Sequence, residues 1–170
     1  VLAREFLDEL ARVAAALPER SHVLNLCADR YRFTLFFLAA VARGQVTLLP
    51  PSTTPNVIRA LRTFAADAYC VSDEPDAAAG LPRFDPDDAP AKPALPLAAI
   101  PADQVVACVF TSGSTGEPQP NFKTWGAMAH DARAEARRLR ILGPGDTILG
   151  TVPAQHMYGF ESTVMLPVHA

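Results

Sequence analysis

One stretch of the sequence, TSGSTGE at residues 111–117, contains the residue types that bind anions. Concave backbone holds an anion through several inward-pointing N–H groups, and glycine permits the torsion angles that such a loop needs. An apolar run that is typical of a buried strand precedes the stretch, and a predicted helix follows a little later. The stretch therefore indicates a phosphate-binding loop, with a hydroxyl-rich surface turn as the alternative. The candidate phosphate ligands are Thr111, Ser112, Gly113, Ser114, Thr115 and Gly116.

The glycine spacing excludes two common phosphate loops. The P-loop of nucleotide triphosphatases has the pattern G-x-x-x-x-G-K-[ST], whereas Gly113 and Gly116 are three residues apart and no lysine follows directly. The dinucleotide fingerprint G-x-G-x-x-G needs a second glycine at position 115, which is a threonine. The nearest lysine after the loop is Lys123, which makes its ammonium the candidate cation for a bound phosphate.

The run VFTSGSTGEP closely resembles the phosphate loop of the adenylate-forming superfamily, which includes acyl- and aryl-CoA synthetases and adenylation domains. The usual form in that superfamily is T-S-G-[ST]-T-G-x-P-K. The match extends through Pro118 and fails at the lysine, because position 119 is Gln. A second run, LGPGDTILGTVPAQHMYGF, resembles the segment that follows in the same superfamily, where the pattern L-G-x-G-D, a strand and P-x-x-H-x-x-G succeed one another. The matched positions are Leu142, Gly143, Gly145, Asp146, Pro153, His156 and Gly159.

The resemblance implies an acid–thiol ligase. A carboxylate attacks the α-phosphate of ATP to give an acyl-adenylate and pyrophosphate, and a thiol of CoA or of a carrier protein's phosphopantetheine then takes the acyl group. The loop would hold the β- and γ-phosphates, with Lys123 as the displaced cation or with backbone and hydroxyls alone. His156 is the implied catalytic residue and also contacts the acid, together with Tyr158 and Gly159. Because Tyr158 can present a ring edge and a hydroxyl, an aryl acid is weakly preferred.

The resemblance also leaves an alternative open, since the lysine missing at position 119 is compatible with a degenerate, non-catalytic homologue that binds an acyl group or a protein partner. Mg²⁺ is expected to arrive with ATP, and the absence of His, Cys, Asp and Glu at ligand spacing predicts no protein-held metal. The superfamily's Mg²⁺ acid, ribose acid and C-terminal lysine lie beyond these residues. We therefore expect these 170 residues to be an N-terminal portion without turnover of its own.

The elements that must position these residues follow from the apolar pattern. Strands are predicted at 22–27, 45–50, 68–73 and 104–111, with a further short one near Arg83, and helices at 2–16, 29–42, 55–66 and 125–139. Continuously apolar strands that alternate with helices predict an α/β fold with a mainly parallel sheet and flanking helices. This is also the architecture of the large N-terminal domain in adenylate-forming enzymes. Residues 143–153 are predicted as a turn and a strand, and the segment after them as a loop that enters a helix.

Composition shifts divide the chain into three parts. Residues 1–72 form an α/β subdomain, 73–103 a Pro-rich linker or surface excursion, and 104–170 the phosphate-loop and acid-pocket segment of an incomplete AMP-binding domain. A net charge of −3 gives no electrostatic argument for nucleic acid as a partner. The most apolar run, residues 33–42, is about half as long as a membrane span, and the three scattered cysteines are predicted to be buried and reduced. A cytoplasmic location is expected.

Overall fold

The structure, a computed structural model, describes residues 2–74, 80–86, 93–112, 118–140, 143 and 145–169. The predicted strand–helix alternation is confirmed in this part of the chain. The strands are β1 (His22–Asn25), β2 (Val46–Leu49), β3 (Tyr69–Val71), β4 (Arg83–Phe84), β5 (Val105–Ser112) and β6 (Pro118–Thr124). The helices are α1 (Ala3–Ala16), α2 (Arg30–Ala42), α3 (Pro55–Phe64), α4 (Trp125–Leu139), α5 (Met157–Phe160) and α6 (Leu166–His169), with a π-helical turn at Glu161–Met165 between the last two.

The six strands form one sheet in the order β4-β3-β1-β2-β5-β6, and every neighbouring pair except β5–β6 is parallel. The chain passes from β1 through α2 to β2, and then back across β1 through α3 to β3. Since parallel crossovers are right-handed, these opposite directions place α2 and α3 on opposite faces of the sheet. The sheet is therefore covered on both sides, which accounts for its continuously apolar strands.

Successive strand residues pack alternately into two hydrophobic cores. Val23 and Leu49 contact the larger core with α1, α2, α4 and the C-terminal helical segment, whereas Leu24 and Leu48 contact the smaller core with α3. Phe160 packs edge-on against Phe37 of α2, with ring centroids 4.8 Å apart. The helical segment after residue 156 is thus anchored on the same face as α2.

Two elements differ from the sequence prediction. Residues 118–124 form β6, an antiparallel edge strand that the pattern did not indicate because Pro118 and Pro120 interrupt it. Proline is tolerated there because an edge strand needs partners on one side only. The strand predicted within 143–153 is wrong: residues 146–150 are irregular, and the Leu149 side chain is 89% exposed. This segment does not join the sheet and finds its hydrogen-bond partners elsewhere.

Pro167, two residues after the π-helical turn, accounts for this turn. This residue has no N–H to donate to the carbonyl of Thr163, and its ring would collide with that carbonyl in a regular α-helix. A wider turn over the preceding residues, Glu161–Met165, relieves the conflict. The turn contains Thr163, whose hydroxyl donates to the carbonyl of Gly159.

A contact between Asp67 and residues 21 and 22 connects the start of β1 to the segment just before β3. The Asp67 carboxylate accepts a hydrogen bond from Ser21 N at 2.5 Å and lies 2.7 Å from His22 Nδ1. Burial alone would raise the pKa of Asp67, but the bond from Ser21 and the neighbouring His22 outweigh it, so the folded-state pKa lies below the usual value of 3.8.

Replacing Asp67 with asparagine is expected to lower the free energy of unfolding at pH 7. A carboxyl with a depressed folded-state pKa stabilises the protein above its unfolded pKa, and this contribution is lost as pH falls through the folded value. Because the carboxylate is 40% exposed, we expect an effect of about 0.5 kcal/mol. Urea titrations at pH 7 and pH 3 measure it, with the exposed Asp103→Asn as the matched control. A D67N deficit that is equally large at both pH values contradicts the assignment.

Candidate active site

A cavity of about 310 Å³ opens at the carboxyl ends of β1 and β2. The connections leaving these two strands pass to opposite faces of the sheet, so the cavity lies at the topological switch point, where open α/β sheets bind ligands. Its walls are mostly apolar, with a few polar side chains, as in small-molecule sites. The lining residues are Leu24, Asn25, Leu26, Leu48, Leu49, Pro50, Pro51, Ser52, Thr53, Gln155 and His156.

His156, the predicted catalytic residue, lies at the rim of this cavity. It immediately precedes α5, its N–H donates to the carbonyl of Pro153 at 3.1 Å, and its own carbonyl accepts from Phe160 N at 2.8 Å. The side chain itself is exposed. The backbone at His156 is therefore fixed from both sides while the imidazole is available to a bound molecule.

Gln155, the other side chain from this segment, closes the cavity from the same side. Its Nε2 donates to the carbonyl of Cys27 at 2.5 Å, in the connection between β1 and α2. That connection is itself held by Asp73, whose carboxylate accepts from Ala28 N and Asp29 N. Sequence reasoning did not single out Gln155, because the residues around it in the sequence do not indicate a hydrogen-bond partner as distant as Cys27, 128 residues away.

The predicted phosphate loop begins at the same edge of the sheet. Thr111 is exposed on β5, two positions beyond Val109, which pairs with Leu49 at the end of β2. Ser112 pairs with Pro118 across the β5–β6 hairpin. The predicted ligands Gly113, Ser114, Thr115 and Gly116 lie outside the described residues. The structure thus brings the entrance of the loop to the edge that also carries the His156 cavity.

Lys123 lies at a distance from Thr111, the described entrance of the loop. It pairs with Ala107 on β6, four residues beyond Gln119, which pairs with Thr111. At about 3.3 Å per residue, its Cα lies roughly 13 Å along the strand from position 119. Burial raises the pKa of Glu161 and the neighbouring Lys123 ammonium partly offsets that rise. The segment QPNFK is extended.

Tyr158 and Gly159 occupy different environments. The Tyr158 side chain is 68% exposed on α5, and it lies outside the lining of the His156 cavity. Gly159 is buried against the preceding turn, where a Cβ would lie 2.1 Å from the carbonyl oxygen of Pro153. The glycine is therefore required by a close backbone approach next to His156.

The three cysteines are buried and free, as predicted. Burial, reinforced by the Asp73 carboxylate, raises the pKa of Cys27 to about 12, and burial raises that of Cys108 to about 11. Protonated, buried thiols are poor nucleophiles. Among the described residues, no group of three or more His, Cys, Asp or Glu side chains is arranged to hold a metal ion.

The chain thus combines a mainly parallel α/β sheet, a sequence rich in hydroxyl residues and glycines after β5, and a histidine at the switch point. The sequence profile of the AMP-binding enzyme family matches residues 4–170. The chain belongs to this family, and so to the adenylate-forming superfamily.

Individual relatives agree with this assignment. A 4-coumarate–CoA ligase from Halorhodospira halophila is 42% identical over 57 residues, which cover 34% of this chain and 14% of the relative. A second 4-coumarate–CoA ligase, from Rhodobacter capsulatus, is 36% identical over 72 residues, which cover 42% of this chain and 19% of the relative.

Solved structures share the fold. O-succinylbenzoate CoA synthetase (MenE) from Bacillus subtilis, in complex with AMP, superposes with a TM-score of 0.78 at 19% identity over 98% of this chain and 46% of its own. Apo MatB from Rhodopseudomonas palustris also gives 0.78, at 20% identity, over 100% of this chain and 38% of its own. The chain thus spans less than half the length of these proteins. None of the helices in the described part of the chain is long and apolar enough to cross a membrane.

Proposed function

We propose that the full-length protein is an ATP-dependent acid–thiol ligase. The observation that carries this proposal is the convergence of two separate motifs at one edge of the sheet. The entrance of the TSGSTGE loop and the His156 cavity both lie at the carboxyl ends of the parallel strands, where this fold places its ligands. Family membership supports the proposal, because adenylate-forming enzymes perform this chemistry.

The first half-reaction joins a carboxylate oxygen to the α-phosphorus of ATP and releases pyrophosphate. Two anions must approach each other, so catalysis depends on positioning and on donors aimed at the developing charge. The loop over residues 111–116 grips the β- and γ-phosphates through N–H groups and hydroxyls. His156 donates a hydrogen bond to the acid or stacks against the adenylate, and Mg²⁺ arrives with ATP.

In the second half-reaction a thiol attacks the acyl carbon, and AMP leaves with the bridging oxygen. CoA is the favoured acceptor, because the relatives named above are CoA ligases. A carrier-protein phosphopantetheine remains the alternative. The exposed ring of Tyr158 can contact an aryl acid, and Gly159 keeps the turn beside His156 compact. The division into residues 1–72, 73–103 and 104–170 and a cytoplasmic location remain predictions.

ATP–pyrophosphate exchange by the full-length protein, with a panel of aryl and alkyl carboxylic acids, tests this function. Exchange that depends on one of the acids supports the ligase. Folded protein that exchanges with none of them favours the second candidate, a non-catalytic homologue that binds an acyl group or a partner. The specific observation that favours this second candidate is Gln119, where the superfamily has lysine.

We further propose that backbone N–H groups and hydroxyls hold the phosphates without Lys123, because β6 is extended and Lys123 lies four residues beyond Gln119, which pairs with Thr111 at the loop entrance. Replacing Lys123 with alanine is then expected to change the KM for ATP by less than about threefold. Initial-rate kinetics on the full-length protein measure this change. Thr111→Val, at the loop entrance, is the positive control and should raise the KM more. A tenfold or larger increase in the KM for ATP in K123A, which corresponds to about 1.4 kcal/mol, would show that Lys123 is the displaced phosphate ligand.

A further inference from the structure

Arg30 has an unusual position for a cation. It is the first residue of α2, and a positive charge in the first turn of a helix is opposed by the helix dipole. Its guanidinium does not remain near the helix end. It reaches across to the irregular segment before His156 and to the π-helical turn after it. The residue type is therefore explained by what the side chain holds rather than by helix stability.

The guanidinium contacts both flanks of His156. Its Nη2 donates to the carbonyls of Gly150 at 2.9 Å and Val152 at 2.7 Å, upstream of the histidine. Its Nη1 donates to the hydroxyl of Thr163, downstream of it. The planar fork of an arginine can satisfy three acceptors in fixed directions, which the single ammonium of a lysine cannot.

Thr163 connects Arg30 to the turn that contains the histidine. Its hydroxyl accepts from Arg30 and donates to the carbonyl of Gly159 at 2.5 Å. Gly150 fits tightly beside the pair, since a Cβ there would lie 2.4 Å from Thr163 Cγ2 and 2.9 Å from Arg30 Cζ. The irregular segment, the guanidinium and the π-helical turn are thus in direct contact.

We propose that Arg30 and Thr163 form a positioning pair that fixes His156 at the rim of the β1–β2 cavity. The role is specific to this chain's contacts and rests on the proposed function, in which the His156 imidazole meets the acid or its adenylate. Neither residue is among those that line the cavity. They act by holding residues 150–152 and Gly159, the two sides of the turn from which the imidazole projects.

The kinetic test uses acid-dependent pyrophosphate exchange by the full-length protein. Arg30→Met and Thr163→Val are each expected to lower kcat by about 10- to 100-fold, as misplacement of a reacting group does, with little change in the KM for ATP. Arg30→Lys should recover part of the loss at most, and Thr163→Ser, which keeps the hydroxyl, should stay within about twofold of wild type. Arg4→Met, on the exposed face of α1, is the matched control.

Coupling to His156 separates positioning from general stability. If Arg30 acts through His156, adding Arg30→Met to His156→Ala should cause little further loss of kcat. Losses that multiply in the double variant would overturn the proposal, as would wild-type kcat in both Arg30→Met and Thr163→Val.

Imidazole NMR spectra of the full-length protein give a readout that needs no activity. The His156 signal, assigned by its loss in His156→Ala, is expected to shift or broaden in Arg30→Met and Thr163→Val, while the His22 and His130 signals stay in place. An unmoved His156 signal in both variants would overturn the positioning role. If the wild-type protein shows no exchange but the variants show the expected spectral changes, the proposed function is contradicted while the positioning role of Arg30 and Thr163 is supported.

Discussion

Replacing Gly159 with alanine is expected to cause the largest loss of stability of any single methyl addition near the site. The added Cβ would lie 2.1 Å from the carbonyl oxygen of Pro153 and 2.8 Å from that of Val152. Both obstacles are backbone, which cannot rotate away as a side chain can. We expect a loss of about 3 kcal/mol in the free energy of unfolding. Chemical denaturation of the variant measures it, and exchange activity should fall with the displaced turn.

Gly145→Ala is the matched control for this change. Among the described residues nothing lies within 4 Å of a Cβ at Gly145, which is exposed. Its stability should therefore remain within about 0.5 kcal/mol of wild type. Equal stability losses in the two variants would mean that the close approach of Gly159 to Pro153 does not constrain the turn.

Replacing His156 with alanine is expected to have the largest effect on activity. The histidine lies at the rim of the cavity with its backbone held by Pro153 and Phe160, so the change removes a donor and leaves the fold in place. Loss of one preorganised donor lowers kcat by about 100-fold or more. Steady-state exchange with a productive acid measures this loss, alongside a thermal melt that should shift little.

His130→Ala provides the comparison, because this histidine is exposed on α4 and contacts neither the cavity nor the loop entrance among the described residues. Its activity should match wild type. If H156A also retains wild-type exchange, the imidazole has no catalytic role, and the resemblance of PAQHMYG to the superfamily's second motif reflects the fold alone.

Most of the sheet could be predicted because its strands are apolar on both faces. Cys108 and Val109 pack into opposite cores, and such continuous burial leaves a clear signal in the sequence. The predicted start of α4 at residue 125 is equally local, since the Thr124 side chain accepts a hydrogen bond from Ala127 N three residues later. Where one short segment determines its own structure, sequence reasoning succeeded.

The errors arose where distant partners decide the structure. The run TILGTV has the composition of a strand, yet its carbonyls at Gly150 and Val152 accept from Arg30, which is 120 residues away from Gly150. Conversely, β6 has the composition of a loop and becomes a strand by pairing with β5. Neither the irregular structure of TILGTV nor the strand β6 can be predicted from local propensity, because each depends on a hydrogen-bond partner that is distant in the sequence or on another strand.

The candidate site shows the same division. The loop and His156 were visible as motifs, and the structure places the loop entrance and the histidine at one edge of the sheet. Arg30, Thr163 and Gln155 were not visible, since each acts through a contact made across the fold. Motifs identify the candidate substrate-binding groups, whereas the contacts that Arg30, Thr163 and Gln155 make around His156 depend on the three-dimensional fold.

The most direct test of adenylation follows the carboxylate oxygen. The full-length protein is supplied with ATP, a thiol acceptor and a productive acid labelled with ¹⁸O in its carboxylate, and the products are analysed by mass spectrometry. Attack on the α-phosphorus predicts ¹⁸O in AMP and none in pyrophosphate. Label in inorganic phosphate, with ADP as the other product, would show activation through an acyl phosphate and contradict the assignment.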